Sequence, residues 1–273
     1  MNNLLPKIIA AHDISGLGTA SLRAVMPILS AMGCYVCPLP TAVLSTITGV
    51  YDGYQITDLT EQMEKTIEHW STLNTKFDYI YSGFLGSPRQ VDIIADAASR
   101  FGSYLVVDPV FADDGKLYST MNDEMVRNMR YLTSKAKIIT PNFTEAQFLL
   151  NEFHENVTED IINDMLKRLC GTGPEMTAIT SVPIDGGMHV CAMDSKTNEY
   201  INIKCSYINA SCHGTGDVFT SVMLGAMASG ESFKTALKKA AEFVTEAIRI
   251  TVGNNIPLRE GIAIEELLCD FRT

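Results

Sequence analysis

The run Gly214-Thr215-Gly216-Asp217 stands directly before apolar residues at helical spacing, Val218, Phe219, Val222, Met223 and Ala226. Two glycines at a helix start let successive backbone N–H groups converge on one point, which makes an anion hole. An acid in the same turn is out of place in an anion site, unless it takes a proton from a hydroxyl that attacks a phosphoryl group. The amides then hold the charge that develops on the transferred phosphate. The residues admit a plainer reading as well, a helix start in which glycine supplies the turn and Asp217 favours the dipole.

Other constellations offer related chemistry. In Thr140-Pro141-Asn142-Phe143-Thr144-Glu145 the last residue either holds Mg2+, directly or through water, or closes an Asn-x-x-Glu capping box. Asp108 ends an apolar run, where a carboxylate is costly unless paired or near a metal. Asp113 and Asp114 begin a turn-rich loop, read either as a solvated turn or as a flap over the site. His12-Asp13-Ile14-Ser15-Gly16-Leu17-Gly18 nearly matches a dinucleotide fingerprint. Ser21 stands where Gly or Ala belongs, however, and no acid between Ile14 and Tyr51 can bind a ribose. A Walker loop fails too, because Val110 lies five residues before Gly115 and Leu117 follows Lys116. Cys34-x-x-Cys37 has no second pair and reads as core. Cys212 abuts the anion hole, either as a neighbouring thiol or as a contact to an aldehyde. His69, His154 and His189 show no ligand spacing and are expected on surfaces.

Composition limits the partners. A formal charge of −11 repels nucleic acid and anionic membranes, and it repels ATP at long range, so any nucleotide site must be built locally. No apolar run reaches the roughly 18 residues of a membrane span. The first residues lack the pattern of a signal peptide. Seven scattered cysteines suit a reducing compartment, and a cytoplasmic location is expected.

The elements that must position these residues alternate. Strands are expected at 7–11, 35–39, 78–82, 104–107, 137–140 and 176–180, with a hairpin at 188–194 and 199–205. Helices are expected at 17–32, 58–73, from Ser87-Pro88, at 122–134, 143–150, 158–170, 217–229 and 233–251, and near 263–271. This pattern predicts an α/β fold with a mainly parallel sheet covered on both faces, in one domain over 1–273. Ligands in such folds bind beyond the carboxyl ends of the strands.

Taken together, several segments resemble the ribokinase-like superfamily, and within it the pyridoxal (pyridoxamine) kinases. They are His12-Asp13-x-Ser15-Gly16-x-Gly18, the stretch 38–49 ending Leu44-Ser45-Thr46-x-Thr48-Gly49, Tyr81 to Gly86, Asp108-Pro109-Val110, Thr140 to Glu145, and Gly214 to Asp217. The resemblance implies a three-layer αβα sandwich and ATP-dependent phosphorylation of the 5′-hydroxymethyl group of a B6 vitamer. It implies Asp217 as base and Gly214, Thr215 and Gly216 as anion hole. Asp108 and Glu145 are implied at Mg2+, and Asp113, Thr140 and Ser181 at the nucleotide. Asp13, Ser45 and Thr48 are implied at the acceptor. Relatives are often homodimers, so a homodimer is expected; a monovalent-cation requirement stays open. Two positions depart from the family pattern, Ile47 where histidine is usual and Ala112 where glycine is usual. Hydroxymethylpyrimidine kinases are similar in fold and site and form the alternative, and a non-catalytic sensor is a third reading.

Overall fold

The structure is a computed structural model, and it describes every residue except 1–4, 49, 50, 207, 209, 211 and 273. Gly49 of the stretch quoted above therefore lies outside the described residues. Eleven strands and eight α-helices follow one another as β1 (Lys7–Leu17), α1 (Leu22–Ala31), β2 (Tyr35–Thr46), β3 (Ile56–Asp58), α2 (Thr60–Thr72), β4 (Tyr79–Ser82), α3 (Pro88–Phe101), β5 (Tyr104–Val107), β6 (Ala112–Asp113), β7 (Lys116–Leu117), α4 (Asp123–Lys135), β8 (Ile138–Ile139), α5 (Phe143–Leu150), α6 (Glu159–Gly171), β9 (Met176–Ile184), β10 (Gly187–Asp194), β11 (Glu199–Cys205), α7 (Thr215–Ala228) and α8 (Phe233–Gly253).

Nine strands form one sheet in the order β11-β10-β9-β8-β5-β4-β1-β2-β3. Its centre, β9 through β2, is parallel, while β10, β11 and β3 pair antiparallel at the two margins. Side chains alternate between two cores, as the period of a strand requires. Ile9, Ile80, Val107 and Ile139 join a cluster with residues of α2 to α6. Ile8, Tyr81, Val106 and Ile138 face α1, α7 and α8. This is the expected αβα sandwich. Helix α7 is buried along most of its length, at the middle of its layer between α1 and α8. Gly225 leaves the room that α1 needs there, since a Cβ at that position would stand 2.5 Å from Met32 Sδ.

Local signals placed several helix ends. Ser87 Oγ accepts from Gln90 N with Pro88 in the first turn, Asn122 Oδ1 accepts from Met125 N, and Thr158 Oγ1 accepts from Ile161 N. The largest error of expectation is at the N-terminus. Strand β1 does not stop at Ala11 but runs through the whole glycine-containing motif to Leu17, and β2 runs on to Thr46. Each extends the other by parallel pairing up to Leu17 and Thr46, so the helix begins at Leu22, not residue 17. Pro38 and Pro40 are two residues apart, so both missing N–H groups fall on the same side of β2. Strand β3 pairs there only from Ala42 onward, so the prolines interrupt no ladder with it. The piece near 263–271 is also corrected, because the regular turn there is a 3-10 segment over Leu267–Arg272. His189 is buried, not on the surface, with Nδ1 2.7 Å from Asn202 Oδ1.

Gln90 fixes the outer strands to the helices. Its buried amide donates to Thr41 O at 3.0 Å, Thr60 Oγ1 at 3.0 Å and Asp58 Oδ2 at 3.1 Å, and its Oε1 accepts from Gly86 N at 2.8 Å. Gln90→Leu keeps the volume and strands these partners, each of which costs roughly 1–3 kcal/mol when left unpaired in the interior. Urea denaturation is expected to show a loss of at least one such increment; unchanged stability would mean that water replaces the amide.

Candidate active site

At the carboxyl ends of the parallel strands, the chain turns into α7 through Gly214, whose φ is 83°. A Cβ on Gly214 would lie 2.3 Å from Thr19 O, so both conformation and space demand glycine. Gly216 backs onto Asp108, with 3.3 Å between a notional Cβ and Asp108 Oδ2. No side chain caps this helix end, and Thr215 is its first residue. The N–H groups of the first turn are thus left for a ligand, as an anion hole needs.

Asp217, in that same turn, is held from two sides. Its Oδ2 accepts from Ser21 N at 2.8 Å, and its Oδ1 lies 3.4 Å from Nδ1 of the fully buried His12. The latter is an electrostatic contact, because neither ring nitrogen of His12 has a hydrogen-bond partner. The carboxylate keeps 12% of its surface exposed, enough to meet a substrate. Beside it lies Asp13, whose Oδ1 accepts from Ser21 Oγ at 2.6 Å and whose Oδ2 accepts from Ser15 Oγ at 3.3 Å. Burial raises the Asp13 carboxyl above its ordinary range. Asp217 adds repulsion, and the Ser21 hydroxyl and His12 oppose the rise.

Asp108 and Glu145 form the second acidic group. Asp108 is buried at the end of β5, and desolvation, then Glu145, then Asp217 push its carboxyl well above the usual value. Glu145 is pushed up to about 7, chiefly by burial, against the pull of amides from Asn142, Phe111 and Ala112. Of the two readings of Glu145 from sequence, the cap is the one the hydrogen bonds show. The capping box is formed, with Asn142 N to Oε2 at 2.9 Å and Glu145 N to Asn142 Oδ1 at 2.8 Å, while Oε1 accepts from Phe111 N at 2.9 Å. Among the described residues no Lys or Arg pairs with Asp108, Glu145 or Asp217. A buried acidic pair without a cation fits a divalent ion. Mg2+ usually takes one or two carboxylates with water and phosphate oxygens, so it requires no full protein cage, and no group of three such ligands occurs among the described residues.

The Asp113–Asp114 loop is a small hairpin, β6 paired with β7, tied down by Gly115 N to Thr144 Oγ1 at 3.0 Å. Desolvation raises the Asp113 carboxyl, the Asp114 amide, which donates to its Oδ1 at 2.9 Å, opposes the rise, the Asp114 charge adds to it, and His213 lowers it again. Thr140 sits at the end of β8, and its hydroxyl is shared with Thr220 Oγ1 of α7 at 2.8 Å. It therefore ties the sheet to α7. Ser181 is exposed in a bulge of β9, where φ is 56° and the register against β10 shifts. Ser45 is exposed, with Oγ accepting from Gln55 N at 2.9 Å, and Thr48 is half-buried just beyond β2. Ile47 fills the space over Gly18, where a Cβ would be 2.3 Å from Ile47 Cδ1. That packing accounts for the departure from histidine: the side chain serves as core. Cys212 is buried, its thiol pushed up by desolvation.

Sequence reasoning missed the layer behind Asp217. His12 meets Tyr81 edge-on at 4.3 Å between centroids, in space that Gly83 leaves open. The buried Tyr81 Oη, Ser82 Oγ and Ser221 Oγ have no hydrogen-bond partner. Ser21 was weighed only as a mismatch to another motif, and its partner Asp217 is 196 residues away. A serine at a helix start was the only local hint.

The acidic pair has a consequence for stability. Glu145 has an ordinary value of 4.5 and stands near 7 when folded, so ionising it costs the folded state more than the unfolded chain. The contribution of Glu145 to stability without metal is expected to be most favourable at acid pH and to fall as pH rises from about 4.5 through about 7. Asp108→Asn should flatten that fall and raise Tm at pH 8, by about 2–4 °C for each kcal/mol of relieved repulsion. Added Mg2+ should raise Tm in the wild type and not in the variant. Calorimetric scans across pH check both statements, and an unaltered pH profile in Asp108→Asn would clear the pair of this role.

Known proteins match the chain over most of its length. The Phosphomethylpyrimidine kinase family profile matches residues 16–262. A pyridoxal kinase from Arabidopsis thaliana is 29% identical over 258 residues, which cover 88% of this chain and 79% of that protein. A hydroxymethylpyrimidine/phosphomethylpyrimidine kinase from Bacillus subtilis is 26% identical over 250 residues, 86% of each. A Bacteroides thetaiotaomicron protein, described provisionally as a phosphomethylpyrimidine kinase and crystallised with pyridoxal, superposes with a TM-score of 0.94 at 44% identity, over 99% of this chain and 96% of that one. With the family match spanning most of its length, the chain belongs to the phosphomethylpyrimidine kinase family, and its sandwich is the ribokinase-like fold.

Proposed function

We propose that this chain phosphorylates the 5′-hydroxymethyl group of pyridoxal, pyridoxine or pyridoxamine with ATP, as one kinase domain over 1–273. The observation that carries the reading is the pairing of Asp217 with an uncapped helix end. A carboxylate fixed by Ser21 N and His12 shares one turn with the free amides of Gly214, Thr215 and Gly216. The pyridoxal bound to the 44%-identical Bacteroides protein supports the choice of acceptor.

In the proposed reaction the acceptor hydroxyl gives its proton to Asp217 as its oxygen forms a bond to the γ-phosphorus of ATP, and ADP leaves with the electron pair of the broken bond. In a loose transition state the proton leaves late, so a weak base at a helix N-terminus suffices. The amides of 214–216 hold the equatorial oxygens. Asp108 and Glu145 would hold Mg2+, which when bound neutralises charge on the phosphates. Asp113 on the flap, Thr140 through its backbone and Ser181 at the bulge are assigned to the nucleotide. Asp13, Ser45 and Thr48 are assigned to the acceptor. A homodimer is part of the proposal, and exposed Leu17, Val43 and Ile56 on the margin of β1–β3 are apolar surface it could cover.

The second reading is hydroxymethylpyrimidine as acceptor. It draws on the family description, on the Bacillus subtilis relative, and on Ile47, which withdraws a polar side chain from this end of β2. Turnover with Mg-ATP and each acceptor separates the two: phosphorylation of the pyrimidine alone would overturn the B6 assignment. No ADP release with any acceptor, beside retained pyridoxal binding, would favour a non-catalytic sensor. Asp217→Asn is expected to lower kcat by roughly 10²–10⁴ with the fold intact. Wild-type turnover in that variant would remove Asp217 from the base role.

A further inference from the structure

Ser21 is strained, and its strain has no local return. Its φ is 52° and ψ is −138°, a conformation suited to glycine, and it opens α1 as N-cap. A serine there ordinarily turns its hydroxyl onto the helix amides, yet no side-chain cap is made. The hydroxyl goes instead to Asp13 Oδ1 at 2.6 Å, while the amide of the same residue goes to Asp217 Oδ2 at 2.8 Å. Both bonds are short and directed, and Ser21 is 8% exposed.

We infer that Ser21 is a positioning residue that sets the distance between the acceptor-side carboxylate Asp13 and the base Asp217. The inference rests on the kinase reading above. One rigid residue spans the two carboxylates, and their mutual repulsion would otherwise drive them apart. The link keeps the group that orients the acceptor in register with the group that receives its proton. Misplacement of an acceptor hydroxyl by even a fraction of an ångström lowers transfer steeply. Water, by contrast, needs no orientation by Asp13, so its attack on ATP does not depend on the link.

Ser21→Gly isolates this role. Glycine accepts the backbone angles without strain and keeps the amide bond to Asp217, so only the hydroxyl bond to Asp13 is lost. In the full chain with Mg-ATP and pyridoxal, Tm is expected to hold or rise. The kcat for the acceptor should fall roughly 10-fold or more, KM for ATP should hold, and the ratio of acceptor phosphorylation to ATP hydrolysis should drop with it. Ser21→Ala, which loses the hydroxyl and retains the strain, should show the same loss of ratio at a lower Tm. An unchanged ratio in Ser21→Gly overturns the inference, and so does a parallel loss of transfer, hydrolysis and Tm, which assigns Ser21 to folding alone. A wild-type chain that transfers to neither pyridoxal nor hydroxymethylpyrimidine sinks the kinase reading instead, and the positioning role falls with it.

Discussion

Carboxyl groups are concentrated where the proposed nucleotide would have to bind. Asp13, Asp108, Glu145 and Asp217 crowd the carboxyl end of one sheet, and Asp13, Asp108 and Glu145 are buried enough that their carboxyls are pushed upward. In a chain with a net charge of −11 this would defeat a nucleotide site unless positive potential were supplied over a short range. The fold supplies it from its backbone: the uncapped start of α7, and the amides of residues 111, 112 and 142 turned onto Glu145. In the proposed reading the remainder is left to a divalent ion.

That constraint explains why α7 is so deeply embedded. A helix whose N-terminus carries the proposed anion hole must not tilt, and α7 is wedged among α1, α8 and the sheet. Thr140 and Thr220 join it to β8, Gly214 presses it against Thr19, and Ser21 reaches Asp217 from the start of α1. The site's precision therefore rests on contacts between segments that are far apart in sequence.

This distribution also decides what the sequence could reveal. Alternating apolar runs, the Ser87-Pro88 start and the Asn142-Glu145 box are local signals, and each marked its element. The αβα order follows from them, and the Gly214–Asp217 turn is legible because its chemistry is written in consecutive residues. The extension of β1 to Leu17 was hidden because the glycines and serines from residue 15 onward give no strand signal until β2 lies beside them, and the helical spacing from Leu22 can be read back to residue 17. Ser21, His12 and Tyr81 were hidden for the same reason: what they do depends on a helix that the chain reaches almost 200 residues later. Sequence alone could not choose between cap and metal ligand for Glu145. The structure shows the cap formed, with the same carboxylate near enough to push the Asp108 carboxyl upward.

Ala112 stands where the family pattern described from sequence has glycine, and its backbone needs none. Positive φ occurs on either side of it, at Val110, Asp114 and Gly115, and not at Ala112 itself. Its methyl is fully buried, and its carbonyl accepts from Asn142 Nδ2 at 2.7 Å. The root of the hairpin is thus bolted to the start of α5. The exposed tip, Asp113 to Lys116, is held as well, through Gly115 N on Thr144 Oγ1, so the flap is a short fingertip on a fixed knuckle and not a swinging door.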